Sequence, residues 1–154
     1  MNVADGKLVE AAYEAISETF ETMAFMGLVP REEDLSTEEK SLPWMWARVA
    51  VDQPLTGAFL LLCPQSLAQE ATASLFGAAE DSLTRQQTFD ALGEMVNILA
   101  GRCLSLLVSR EETFSLGLPE TGTGWPEQAQ GALLTFVTDE EQPVALYIDL
   151  QGRE

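Results

Sequence analysis

The chain has 154 residues, 46% hydrophobic and 21% charged, a composition that supports a globular core and argues against a disordered segment. Eight Lys and Arg stand against 25 Asp and Glu, and the resulting net charge of −17 repels phosphate backbones and anionic lipid headgroups, which argues against nucleic-acid and membrane roles. Histidine is absent, which removes every Ser-His-Asp or Cys-His nucleophile system and every His-ligated metal site.

The length fits one domain, 1–154, able to bury a core without disulfide or metal staples. Cys63 and Cys103 each lie inside an apolar run and are expected to be free, buried thiols. Met1–Gly6 carries no basic segment followed by an apolar one, and no apolar run reaches the roughly 18 residues of a membrane helix. The chain is therefore expected to be cytoplasmic.

Between Lys7 and Met26 the apolar residues Leu8, Ala12, Ile16, Phe20 and Met23 recur at helical spacing, with Glu10, Glu14, Glu18 and Glu21 on other faces. Gly27 and Pro30 end this helix, and the charged stretch Arg31–Ser41 reads as an exposed connection. Trp44–Val51 and Thr56–Cys63 form a strand pair joined by a tight turn at Asp52-Gln53-Pro54. Trp44 and Trp46, at alternate positions, share one strand face, as sheet-packing residues or at a subunit interface. Pro64 opens a helix over Gln65–Phe76, closed by Gly77, and a polar spacer leads to a long helix over Gln86–Val108. Strands follow at Thr113–Leu118, Ala132–Val137 and Val144–Leu150, the last two around the hairpin signal Asp139–Pro143, with a loop at Glu120–Pro126. This order predicts an α+β domain, helices lying on a largely antiparallel sheet.

The long helix carries the most informative pattern. At about 100° per residue, Leu92, Met95, Val96, Leu99, Cys103 and Leu106 fall on a core face. Opposite them run Asp90, Glu94, Asn97, Gly101 and Ser105, flanked by Gly93 and Ala100. Each glycine inside a helix costs roughly 1 kcal/mol relative to alanine, and Asn is a poor helix former. The choice supplies a bare ridge on which Glu94 and Asn97 stand clear for another backbone to approach. Spacing alone serves equally a helix whose exposed side is small and polar, with Gly101 packing on a neighbour.

Phe89–Gly101 resembles the signature helix of the CheC/CheX/FliY phosphatases, whose motif is Asp/Ser-x-x-x-Glu-x-x-Asn. Thr56–Pro64, Ala73–Gly77, Phe114–Pro119 and Glu21–Met26 are similar to the family's flanking elements in order and spacing. The resemblance implies a CheC/CheX-like fold with an internal pseudo-repeat, and removal of phosphate from the aspartyl phosphate of a CheY-type receiver domain. It also implies that Asn97 orients the attacking water, that Glu94 docks on the receiver's lysine, and that Asp90, Gly93, Gly101 and Ser105 contact the partner. On this reading the chain holds no cofactor or metal of its own, because the receiver brings Mg²⁺.

Laying Ser17–Phe25 against Gly93–Gly101 puts Glu18 at the Glu94 place, Glu21 at the Asn97 place and Phe25 at the Gly101 place. A second carboxylate and a bulky ring disqualify that helix, so one helix is expected to act, which resembles CheX more than CheC. The CheX likeness also implies a homodimer built through sheet edges. The alternative from another class is a non-catalytic module that binds a receiver or a flagellar-switch protein with the same helix. Glu32-Glu33-Asp34 lacks the glycine turn and ligand spacing of a calcium loop, and Gly122-Thr123-Gly124 lacks the lysine and helix of a phosphate loop. Asp90 and Glu94 make a poor acid/base pair, since an exposed helix face offers no burial to separate their roles.

Overall fold

A computed structural model describes residues 6–53, 55–108 and 113–152; the expected turn residue Pro54 and the amino-terminal Met1–Asp5 lie outside them. The elements are α1 (Gly6–Thr19), β1 (Leu28–Pro30), α2 (Thr37–Lys40), β2 (Trp44–Gln53), β3 (Leu55–Pro64), α3 (Gln65–Phe76), α4 (Arg85–Leu107), β4 (Ser115–Leu116), β5 (Glu120–Thr123), β6 (Ala132–Thr138) and β7 (Pro143–Gly152). Among the described residues the strands form one seven-stranded sheet, ordered β1-β6-β7-β3-β2-β4, with β5 also paired to β2. Every pairing is antiparallel. The α+β architecture and its antiparallel sheet match the expectation.

The sheet order carries the internal repeat. Exchanging β1, β2 and β3 for β4, β6 and β7 reverses the order and leaves it otherwise unchanged, with β3 and β7 paired across the centre. The two leading helices, α1 and α4, pack against each other on one face of the sheet.

Alternation along the strands sorts two apolar layers. Toward the helices point Ala47 and Val49 of β2, Phe59 and Leu61 of β3, and Leu146 and Ile148 of β7, meeting Ile16 of α1 and Leu92, Met95 and Leu99 of α4. Cys63 and Cys103 sit in this layer as free thiols, and burial pushes each up to about 12. The opposite sheet face carries a smaller cluster of Leu35, Trp44, Leu60, Leu62 and Ala145, with Trp46 packed beside it, so both indoles do share one face.

Several local expectations change. The first helix is α-helical only to Thr19. Phe20–Ala24 widens into a π turn, and Phe25 ends it in the left-handed region at φ 56°. The widening falls where Thr19 and Thr22 turn their hydroxyls back onto the carbonyls of Ala15 and Glu18, at 2.7 and 2.8 Å, a bond that competes with the helical ladder. Arg31–Ser41 is more than a connection: Ser36 and Glu39 form a capping box that starts α2. Residues 120–123, expected as loop, pair with β2 as β5. A side chain at Gly122 would collide with the Trp46 indole, so glycine there is what lets β5 lie against β2. The strand expected over Thr113–Leu118 is reduced to Ser115–Leu116, which places Leu118 in a loop.

Arg31 holds Glu39 through two short hydrogen bonds, 2.6 and 2.7 Å, which lower the carboxyl to about 2; the Ser36 backbone N–H adds a third. A carboxyl lowered on folding stabilises the protein above its ordinary value, about 4.5, and that contribution fades as pH falls from there toward about 2. Glu39→Gln is expected to cost about 1 kcal/mol at neutral pH, the scale of a bidentate but solvent-accessible pair. Urea unfolding of wild type and variant should show that difference shrinking steadily over the same acid range.

Candidate functional site

The start of α4 is fixed by a capping box. The Gln87 N–H donates to Thr84 Oγ1 at 3.1 Å and the Thr84 N–H to Gln87 Oε1 at 2.8 Å. From there the apolar side of α4 is drawn into the core through Leu92, Met95, Val96, Leu99 and Cys103. Leu106, expected on that face, is 46% exposed; Leu104 is the buried residue of the last turn.

Two contacts set how α4 presents its other side. The Arg102 guanidinium donates to Thr19 Oγ1 at 3.0 Å and to Thr22 Oγ1 at 3.4 Å, lacing α4 to the end of α1. On the opposite flank, Pro119 rests on Gly93, so close that a Cβ there would stand 3.2 Å from the proline ring. Gly93, expected as a partner contact, is therefore buried by its own chain, and its missing side chain admits the loop that precedes β5.

What remains uncovered is the expected stripe. Asp90, Glu94 and Ser105 are exposed, and Asn97 and Gly101 are half-buried. Asp90 accepts a hydrogen bond from Gln86 Nε2 at 2.8 Å. The Ser105 hydroxyl is occupied within the helix, donating to the Gly101 carbonyl at 2.8 Å. Among the described residues, the Glu94 carboxylate and the Asn97 amide have no partner. A Cβ at Gly101 would meet only Phe114 Cε2, at 3.9 Å, an ordinary contact. Packing within the chain does not require a glycine there.

Two clefts flank the stripe and meet on it. The first, ≈ 610 Å³, runs along Asp90, Glu94 and Asn97 and is walled by Phe114, Leu118 and Pro119. The second, ≈ 450 Å³, lies between α1, through Glu14 and Glu18, and α4, through Asn97, Gly101 and Ser105. Asn97 and Phe114 belong to both. The sequence pattern gave the helical stripe but not these walls. Phe114, Leu118, Glu14 and Glu18 reach it from chain positions far from the motif. Leu118 was hidden inside a stretch with strand character.

Among the described residues, no three Cys, Asp or Glu side chains gather as a cation would need, and no helix is long and apolar enough to cross a membrane. An unpartnered amide beside an unpartnered carboxylate, on a ridge without side-chain cover at Gly101, can receive a foreign polar group from outside. Its chemistry is hydrogen bonding and charge pairing.

The family described as chemotaxis phosphatase CheX matches residues 45–137, more than half of the chain and inclusive of the whole stripe up to Ser105. The chain belongs to the CheX family. No curated protein sequence matches it. Among solved structures, chemotaxis protein CheX from Vibrio vulnificus is similar at 15% identity and a TM-score of 0.75, over 98% of this chain and 100% of that one. A CheC-like superfamily protein from Shewanella sp. PV-4 gives 17% and 0.74, over 96% and 99%. The CheX–CheY–BeF3–Mg²⁺ complex from Borrelia burgdorferi gives 14% and 0.68, over 96% and 99%. At these identities the likeness shows that the fold is CheX-like.

The two glycines of this CheX-family helix should answer differently to alanine. Gly101→Ala gains helix propensity and adds only an ordinary contact with Phe114, so it is expected to raise stability by about 0.5–1 kcal/mol. Gly93→Ala gains the same propensity but must push Pro119 away, so its net gain should be smaller or negative. Urea midpoints of the two variants measure the contrast.

Proposed function

We propose that this chain hydrolyses the aspartyl phosphate of a CheY-type receiver domain docked on the α4 ridge. The observation that carries the reading is the unpartnered Asn97 amide, placed where two clefts meet and one turn from the unpartnered Glu94 carboxylate. Membership of the CheX family supports it, as does the existence of a CheX of this fold in complex with CheY, BeF3 and Mg²⁺.

An acyl phosphate is already labile, so the catalyst's work is placement. The Asn97 carboxamide both donates and accepts, and can hold a water in line with phosphorus without removing its proton. The water oxygen forms the new bond to phosphorus as the bond to the aspartyl oxygen breaks. The carboxylate leaves with its electron pair, and the proton passes to the phosphate or to solvent. Glu94 pairs with the receiver's lysine and sets the register of docking. Asp90, steadied by Gln86, adds negative charge at the rim of the same cleft. Gly101 keeps the ridge low enough for the receiver backbone, and Ser105 borders its far end. Mg²⁺ enters with the receiver, as part of the substrate. The homodimer belongs to the same reading, built at sheet edges that here are β1 on one side and β4 and β5 on the other.

Phosphate release from a panel of receivers loaded with acetyl phosphate and Mg²⁺ tests the proposal. Asn97→Ala should retain binding of the beryllofluoride-loaded receiver and lose roughly 100-fold in kcat, the scale of a misplaced attacking group. Glu94→Ala should chiefly raise KM, by about tenfold, through loss of one charge-assisted contact. Gly101→Ala should lower kcat/KM although the variant is the more stable protein. Binding of the loaded receiver with no shortening of its phosphate lifetime would identify a binding module instead. A lifetime untouched by wild type across the panel, with no binding, would end the proposal.

A further inference from the structure

Large apolar side chains are ordinarily left exposed one at a time. Here two of them border the clefts that meet at Asn97. Leu118, 90% exposed, stands on the wall of the first, and Leu106, 46% exposed, lines the second. The backbone that carries each is held in place. The residues on either side of Leu118 are tied down: the Gly117 N–H donates to the Ala50 carbonyl at 2.9 Å, and Pro119 sits on Gly93. Leu106 rides the last turn of α4, whose position is set by Arg102 on α1. Neither leucine contributes much to the core, so the fold gives no reason for displaying them.

A partner landing on the ridge would cover both. The polar groups along its path, Asp90 and Glu94 in the first cleft and Glu14 and Glu18 in the second, attract a cationic surface, but that attraction is screened by salt. Affinity that survives at physiological ionic strength needs apolar area, and a leucine on anchored backbone supplies it at a smaller cost in lost rotamer freedom than a long flexible side chain. We propose that Leu118 and Leu106 are the apolar anchors of the docking footprint. They hold the receiver face around its aspartyl phosphate from both sides. The inference rests on the function proposed above and assigns to these leucines affinity but no part in the chemistry.

The test uses the receiver that wild type dephosphorylates fastest, loaded with acetyl phosphate and Mg²⁺. Leu118→Ser and Leu106→Ser are each expected to raise KM roughly tenfold, the scale of burying one leucine side chain, with kcat within about twofold of wild type. The KM defect should persist in 0.5 M NaCl, whereas that of Glu94→Ala should shrink as salt screens the lost pair. Leu118→Met, which restores apolar bulk, should return KM close to wild type. Leu42→Ser, which removes an exposed leucine lining neither cleft, should leave KM unchanged. The thermal midpoint should be unchanged in the Leu118 variants, whose side chain is 90% exposed, and fall by a few degrees at most in Leu106→Ser and Leu42→Ser, which lose a partly buried leucine. Wild-type KM in both serine variants, beside a receiver that wild type plainly dephosphorylates, overturns the inference and leaves the phosphatase reading standing. No acceleration by wild type on any receiver overturns the reading itself and the inference with it.

Discussion

The structure depends on how α4 is held. Its apolar face is committed to the core through Leu92, Met95, Val96, Leu99 and Cys103, one flank is laced to α1 by Arg102, and the other is overlaid by Pro119. A helix fastened on three sides has a single strip left for anything else, and that strip holds Asp90, Glu94, Asn97, Gly101 and Ser105. The fastening also gives the strip its precision. Side chains on a helix that neither rolls nor slides keep their mutual spacing, which is what a site that works by placement requires. The same contacts explain why two glycines eight residues apart differ in kind. Gly93 is missing a side chain for the benefit of Pro119, while a side chain at Gly101 would make only an ordinary contact with Phe114.

The sheet's symmetric order shows what became of the other half of the repeat. α1 and α4 occupy equivalent places, yet α1 stops being an α-helix at Thr19, widens, and ends at Phe25 in a left-handed conformation with the ring 76% exposed. At the corresponding place α4 runs straight through Gly101 and continues for another turn and a half. The Arg102 contacts land on Thr19 and Thr22, where α1 departs from regular geometry. On the reading proposed above, α1 keeps a supporting role: Glu14 and Glu18 form the far wall of the cleft that α4 opens onto. One helix of an internal pair carries the amide, and its counterpart lends shape and charge.

Much of this was legible in the chain itself, for identifiable reasons. The buried face of α1, the strands β2 and β3, and α3 with its left-handed Gly77 cap all follow from periodicity and turn chemistry acting over a few residues. The elements that escaped are short or borrow their stability from partners. β1 has three residues and exists because β6 pairs with it; β5 reads as a loop until Trp46 is seen to lie over Gly122; α2 is one turn set by Ser36 and Glu39. The same division holds at the site. The stripe is a property of one helix and is visible at a period of about 3.6 residues. Its walls come from Phe114 and Leu118 on one side and Glu14 and Glu18 on the other, and no local pattern links those positions to Asn97. Leu106 marks the limit of the helical wheel, which assigns a face without knowing where the neighbouring layer ends.

An exposed ridge without histidine is a poor place to build a strong base, since activation of a base draws on burial and on neighbouring charge. A site of this kind suits a substrate that supplies its own activation, and an aspartyl phosphate within a receiver does so: the leaving group is good, the divalent ion is already bound, and the pocket around phosphorus is the receiver's. On the reading proposed above, what the chain adds is one dipolar group at the right depth and a surface that holds it there. Until docking, the amide faces solvent and its hydrogen bonds compete with bulk water. On the proposed reading docking displaces that water, and the same amide acts at lower effective dielectric, where orienting one trapped water has more effect. Affinity and catalysis are coupled in such a design, because the low-dielectric environment exists only in the complex. Under the proposed function that coupling gives physical sense to an acidic, glycine-notched ridge bordered by leucines: charge draws the partner in, apolar contact holds it, and the bare helix lets the amide reach.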